Sequence, residues 1–344
     1  MTSASPPDKA PVCSVCIANY NGLKLIDACL QSVLQQQFSG AIEIIVHDDA
    51  SSDGSADYIR THYPQVRLIA SNDNVGFCIS NNRMADIARS EYLLLLNNDA
   101  ELFDDAIATL YAHAQNLQQP AILGLPQYDA ATGKLIDIGS SFDLFLNPVP
   151  NLNPEKQDAG MIIGACLWMP RILWMEIGGF PDWFGSLAED MYVCCVARLY
   201  AYPVLALGTS GFRHWVGQSL GGGKVLENKL STKLTRRVAS ERNKTYVMIM
   251  TSPAPLIYLL LPLHLCMLLL EGLVLAALKQ RWTLFSQIYW GCLKSQWQEK
   301  KRLAAWRRQI QSKRVVSQSD YLKVFSLVPY KLRMLFRHGL PEVK

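Results

Sequence analysis

Short apolar runs alternate with amphipathic stretches through the first third of the chain. Val12–Ala18, Ile42–His47, Val66–Ala70, Tyr92–Leu96 and Ala121–Leu125 are brief, nearly continuous apolar segments bounded by turn formers, and they read as buried strands. Between them, Gly22–Gln36 places Leu23, Ile26, Leu30, Val33 and Leu34 on one helical face. Tyr58–Ile59, Ile79–Ala88 and Asp104–Asn116 read as further helical stretches. Strands that alternate with helices predict an α/β fold built on a mostly parallel central sheet. Beyond Gln127 the pattern loosens around Pro148, Pro150 and Pro154. Ala159–Met169 then reads as a core strand and Ala188–Ala201 as a helix. The glycine-rich Gly208–Lys224 reads as a mobile segment, its Gly221-Gly222-Gly223-Lys224 as a lid following His214 or, alternatively, an uninvolved flexible loop. No repeat of 20–50 residues appears.

Chemistry gathers where strands stop. The run Leu93-Leu94-Leu95-Leu96 ends at Asn97-Asn98-Asp99-Ala100-Glu101, and Ile42–His47 ends at Asp48-Asp49-Ala50-Ser51-Ser52-Asp53-Gly54. In an open α/β sheet, ligands bind outside the carboxyl ends of the strands. Carboxylate, carbonyl and water are the ligands of Mg²⁺ or Mn²⁺, which can hold a diphosphate. A single Asp in such a turn ordinarily serves an Asx-turn or a helix cap, the role expected of Asp53. Two such loops, each after a strand of one sheet, point further: Asp48 toward a base or ribose, Asp99 toward a metal. Cys13 and Cys16 lie inside a strand with no second pair or nearby His, so they read as small buried hydrophobes. Gly221-Gly222-Gly223-Lys224 lacks the glycine spacing and following Ser/Thr of a phosphate loop.

Charge and hydropathy set the C-terminal third apart. From Lys279 onward 15 Lys and Arg face 3 Asp and Glu, whereas residues 1–278 carry a net charge of −8. Leu256–Leu278 is almost uninterrupted apolar sequence, interrupted by Pro262, His264 and Glu271, and is long enough for a bilayer span of about 20 residues. Trp282–Trp297 is a weaker amphipathic run with Trp282, Tyr289, Trp290 and Trp297, residue types that favour membrane interfaces. Basic residues flank the apolar run on both sides, which favours a hairpin or an interfacial attachment over one simple span. The alternative is a buried helix of a soluble domain. The basic stretch Lys294–Arg314 then points to lipid headgroups or a lipid diphosphate, and no nucleic-acid motif is present. The organisation expected is a flexible lead-in over 1–11, an α/β domain over 12–250, and a membrane-associating helical and basic region over 251–344.

Four segments occur in order: Ala18-Asn19-Tyr20-Asn21, Asp48-Asp49-Ala50-Ser51-Ser52-Asp53-Gly54-Ser55, Asn74-Val75-Gly76-Phe77 with Asn81-Asn82, and Leu96-Asn97-Asn98-Asp99-Ala100. Ile177-Gly178-Gly179-Phe180, Glu189-Asp190, His214-Trp215-Val216-Gly217-Gln218-Ser219 and Arg242-Asn243 follow. Over roughly residues 12–250 the set resembles the family 2 inverting glycosyltransferases with the GT-A fold, and most of all their bacterial rhamnosyltransferase-like branch. The resemblance implies that Ala18, Asn19, Tyr20, Asp48, Asn74, Gly76, Asn82, Asn97 and Asn98 bind a nucleotide-sugar donor. It implies that Asp99, with His214, holds Mg²⁺ or Mn²⁺, Asn97 standing where the first acid of the family's Asp-x-Asp usually lies. Asp190 would be the general base, with Glu189 and Arg198 shaping its surroundings. Tyr192 stands where relatives often carry an acid, a change expected to tune the acceptor side. The implied reaction moves a sugar, dTDP-rhamnose being the expected donor, to a glycan acceptor on a polyprenyl-diphosphate carrier. The place would be the cytoplasmic face of the bacterial inner membrane, in envelope polysaccharide or O-antigen assembly. A non-catalytic nucleotide-sugar-binding scaffold subunit is the alternative. An oxidoreductase is disfavoured by the missing GxGxxG after the first strand.

Overall fold

The computed structural model describes residues 10–215, 222–226, 229–339 and 342–343, so the expected lead-in lies outside the described residues except for Ala10 and Pro11. The first elements follow the predicted alternation: β1 (Cys13–Asn19), α1 (Ile26–Leu34), β2 (Ile42–Asp48), α2 (Ser55–His62), β3 (Arg67–Ala70), α3 (Phe77–Ile87), β4 (Tyr92–Asn97), β5 (Ala100–Leu102), α4 (Ala106–Asn116) and β6 (Ile122–Gly124). Short strands come next: β7 (Gln127–Asp129), β8 (Leu135–Asp137), β9 (Ser141–Asp143), β10 (Pro148–Val149) and β11 (Cys166–Pro170). Then follow α5 (Arg171–Ile177), α6 (Glu189–Leu199), β12 (Val204–Ala206) and β13 (Phe212–His214).

The main sheet has seven strands in the order β12-β6-β11-β4-β1-β2-β3, parallel throughout except for β11, which runs antiparallel to β4 and β6. The chain steps outward from β1 through β2 to β3, then crosses to lay β4 on the other side of β1. The strand order therefore reverses between β1 and β4, and that reversal is where such sheets open a crevice at their carboxyl ends. Both faces are covered. Cys16, Ile45, Leu93, Leu95 and Leu167 enter one buried cluster, and their alternates Val15, Ile17, Val46, Leu94 and Leu96 enter the other. This two-sided burial explains why the strands read as continuous apolar runs.

Three expectations need correction. Ala159–Met169 is not one strand: only Cys166–Pro170 pairs with β4 and β6. Residues 159–165 form a buried loop whose backbone bonds go to separate partners, Ala159 N–H donating to Val204 O of β12 and Met161 N–H to Ser140 O. Gly22–Gln36 becomes helical only at Ile26; Gly22 lies against the Asn19–Asn98 side-chain pair, where a Cβ would come within 2.2 Å of both. In Gly208–Lys224, Phe212–His214 is a strand packed between β5 and β7, and residues 216–221 lie outside the described residues.

The C-terminal third is helical. After the backbone pairing of β14 (Gly222–Leu226) with β15 (Lys229–Thr232) come α7 (Leu234–Thr251) and α8 (Leu256–Lys279). The amphipathic run Trp282–Trp297 passes through α9 (Trp282–Leu284), a π turn (Phe285–Trp290) and α10 (Gly291–Gln298). The chain continues through α11 (Lys300–Ser312), α12 (Gln318–Leu322), β16 (Phe325–Ser326) and α13 (Tyr330–His338). It packs back on the first part: Leu303, Ile310, Tyr321 and Val324 join the cluster beneath the main sheet, and β16 pairs with β9.

Candidate active site

The cleft opens where β1 and β4 end side by side. Asn19, the last residue of β1, is fully buried, and its amide nitrogen lies 2.7 Å from Asp48 Oδ2 and 2.9 Å from Ser55 Oγ. Its Oδ1 accepts from Asn98 Nδ2 at 2.8 Å. Asp48 also accepts from Ser51 N–H at 3.0 Å. Its carboxylate is spent on these contacts, is 2% exposed and does not line the cavity. The structure thus places Asp48 behind the cavity wall, holding Asn19. The neighbouring Asp49 reaches the wall and accepts from Val75 and Gly76 N–H at 2.7 and 2.8 Å, which fixes the turn that carries Asn74 and Gly76. Gly76 has φ +89° and lies against Gly185 O, so glycine is required there. Ala18, Asn19, Tyr20, Asn74, Gly76, Asn97 and Asn98 all line one cavity of about 1300 Å³. Asn82 does not: it clamps α3 to the next glycine turn, donating to Phe180 O and Asp182 Oδ1 and accepting from Phe180 N–H.

Pairing of β13 with β5 brings the candidate metal ligands together across the chain. His214 Nε2 is 3.0 Å from Asp99 Oδ1, both groups being buried, and the other ring nitrogen faces Gln127 Nε2 at 2.9 Å. With the Gln127 amide donating, the ring proton sits on Nε2 toward Asp99. Turned over, the amide oxygen would accept from Nδ1–H and leave Nε2 with the lone pair a metal needs. Asn97 Oδ1 is buried without a partner beside them. Among the described residues no three His, Cys, Asp or Glu side chains converge. The set is therefore one carboxylate, one imidazole and one unsatisfied amide oxygen, which suits Mg²⁺ or Mn²⁺ completed by substrate oxygens.

Across the cavity, α6 presents Glu189 and Asp190 in its first turn. Asp190 is half-buried, with Oδ2 accepting from Gly164 N–H at 3.0 Å and Oδ1 from Met191 N–H at 2.7 Å. The buried loop that replaced the expected strand thus supplies one of the two donors. Glu189 is buried with Oε2 unpartnered. Burial and the Asp190 charge push its pKa up to about 8, and burial also raises Asp190. Arg198 is not beside them: two turns on, it binds Asp158 Oδ1 and Ala159 O. The cation that does act on the pair is Arg236 of α7, which lines the cavity with them. The loop before α6 is held by Asn243, whose amide donates to Phe184, Ser186 and Leu187 carbonyls at 3.1, 2.9 and 2.8 Å. Tyr192 faces away from the cavity, between Phe184 and Trp306, so its difference from an acid is a packing matter. His47 is a fully buried strand-end side chain that meets Arg83, and it too lies off the cavity.

Residues 14–173 match the model of "Glycosyl transferase family 2". The chain is 28% identical over 124 residues to glycosyltransferase GlyG of Streptococcus pneumoniae serotype 4, covering 35% of this chain and 41% of that one. It is 32% identical over 190 residues to chondroitin synthase of Escherichia coli, covering 54% and 26%. It thus spans less than half the length of these curated relatives. The mannosyltransferase PcManGT from Pyrobaculum calidifontis, solved with GDP-Man and Mn²⁺, superposes with a TM-score of 0.51 at 14% identity over 90% of this chain and 88% of that one, a likeness of fold. Residues 14–173 are accordingly a glycosyl transferase family 2 domain, and the chain is built on the GT-A fold.

Proposed function

We propose that the protein is an inverting glycosyltransferase that moves one sugar from a nucleoside-diphosphate donor to a glycan acceptor in cell-envelope polysaccharide assembly. The observation that carries this reading is the placement of Asp190 across one cavity from Asn19, Asn97, Asn98 and His214. The donor's nucleotide lies at the ends of β1 and β4. Asp99, His214 and Asn97 would hold Mg²⁺ or Mn²⁺, which when bound supplies charge neutralisation for the leaving diphosphate.

Asp190, aligned by Gly164 and Met191 N–H, takes the proton from the acceptor hydroxyl. The acceptor oxygen bonds to the anomeric carbon as the bond from that carbon to the diphosphate breaks, and the configuration inverts. We read the donor as dTDP-rhamnose and the acceptor as a glycan on polyprenyl diphosphate, from the likeness to the rhamnosyltransferase-like branch. We place the enzyme at the cytoplasmic face of the inner membrane, attached by the apolar C-terminal helices.

Titration with a panel of nucleotide sugars with and without Mn²⁺, followed by transfer assays, tests this. One donor should bind selectively and only with metal. Asp190→Asn should keep that binding while kcat falls by about 10²–10⁴. Undiminished transfer by Asp190→Asn would remove the base assignment, and failure of every donor to bind would favour the scaffold alternative.

A further inference from the structure

The cavity does not end at Asp190. It continues beneath α7 to the seam between α8 and α13, where Met267, Leu270, Val274 and Leu335 line it. These four side chains are also solvent-exposed, so the apolar wall is a mouth. Between the base and the mouth lies a band of charge. Lys331 Nζ is 2.6 Å from Glu241 Oε1 and 2.8 Å from Glu271 Oε2. Arg237 Nη2 is 2.5 Å from Glu271 Oε1, and Lys244 Nζ is 2.8 Å from Glu241 Oε2. Arg236 lines the same space, where it faces Glu189 and Asp190. Four cations face Glu241, Glu271 and, through Arg236, Asp190, which leaves one positive charge in excess within a largely buried site. Such a surplus is costly to bury unless an anion completes it.

We propose that this stretch binds a phosphorylated apolar chain, its diphosphate at Arg236 and Lys331 and its chain leaving along the α8–α13 seam. The proposal rests on Asp190 being the acceptor-side base. Sheet edge, base, cationic band and apolar mouth then follow the order of donor, acceptor hydroxyl, diphosphate and chain. Neither the basic residues of Lys294–Arg314 nor the donor-side residues contribute to it.

The test is calorimetric binding of farnesyl diphosphate to the full chain, with EDTA present so that the metal-dependent donor end is silent. Saturable binding should weaken at least tenfold in Arg236→Gln. Leu270→Glu, at an exposed position that folding does not depend on, should weaken farnesyl diphosphate at least tenfold and leave inorganic diphosphate unaffected. Equal affinity for inorganic and farnesyl diphosphate would mean a free-phosphate site and overturn the proposal. So would farnesyl diphosphate affinity indifferent to Arg236→Gln, or its displacement by phosphatidylglycerol vesicles at matched phosphate, which would mark an ordinary headgroup site. Undiminished transfer by Asp190→Asn together with Arg236-dependent binding would instead remove the base and keep the site.

Discussion

Glu189 and Asp190 are neighbours in one helical turn, yet they differ in what holds them. Both Asp190 oxygens accept backbone N–H groups, which favours its charged form, whereas Glu189 Oε2 accepts nothing. Burial raises Glu189 from 4.5 to about 8. A group raised on folding contributes its stability fully below its unfolded pKa and loses it as pH climbs through the folded one. The native state should therefore lose stability between about pH 4.5 and 8 through Glu189. Glu189→Gln, measured by urea unfolding across that range, should flatten the decline, and an unchanged slope would reject the protonated state. Asp99 makes a second prediction at this scale. Asp99→Ala removes the lone carboxylate of the donor set, so Mn²⁺-dependent donor binding should vanish; full donor affinity in the variant would sink the metal assignment. Both carboxylates were legible in the sequence because each sits at a polar break after or before an apolar element. Arg236 and Gln127 were not, since their relation to Asp190 and His214 exists only once α7 and β7 pack against distant parts of the chain.

Elements show the same division between local and long-range information. β1, β2 and β4 were legible to within a residue or so, because parallel strands buried on both faces must be apolar throughout and stop where the cleft begins. β7, β8, β9, β10 and β13 were not, being two or three residues long and defined by partners far away. Ala159–Met169 misled because a buried loop is as apolar as a strand; the signal against a strand was Gly160 and Gly164, which interrupt it. α7 carries the element-scale prediction. Asn243 binds three carbonyls of the loop that precedes α6, where Leu187 and Ala188 have φ of 76° and 64°. Asn243→Ala removes the Asn243 donor from the Ser186 and Leu187 carbonyls, while Phe184 O keeps Arg242, at a cost of about 1–3 kcal/mol, and lets the start of α6 shift. The expected result is kcat lowered about 10–100-fold with donor Kd unchanged, because the donor side is built from β1 and β4. Equal losses in kcat and donor affinity would show that the loop supports the whole cavity rather than the base alone.

For the molecule as a whole, the question is what the C-terminal third faces. α8 is the one described helix long and apolar enough to cross a membrane, yet only a third of its most apolar window is buried in the protein. Its polar residues point inward: His264 meets Thr245 at 2.9 Å, and Glu271 joins Arg237, Lys331 and Tyr289. Tyr258, Leu259, Leu263, Leu270 and Leu273 point outward, and Trp282, Trp290 and Phe336 are exposed nearby. A helix with its polar side packed and its apolar side bare fits an interfacial attachment better than a soluble surface. The basic tail is only partly available to such a surface, because Arg307 donates to Ile249 and Ser252 carbonyls at 2.6 and 2.7 Å and so caps the end of α7. Attachment should accordingly depend more on apolar contact than on charge. In vesicle co-sedimentation the protein should bind phosphatidylglycerol vesicles more tightly than phosphatidylcholine vesicles, with the difference erased by salt and the remainder retained. Leu259→Ser with Leu263→Ser should lower that salt-resistant remainder by about tenfold or more, given about 1.5–3 kcal/mol for burying each side chain. Binding that is abolished by salt alone, or that ignores both substitutions, would mean that the bare face of α8 meets another protein instead of lipid.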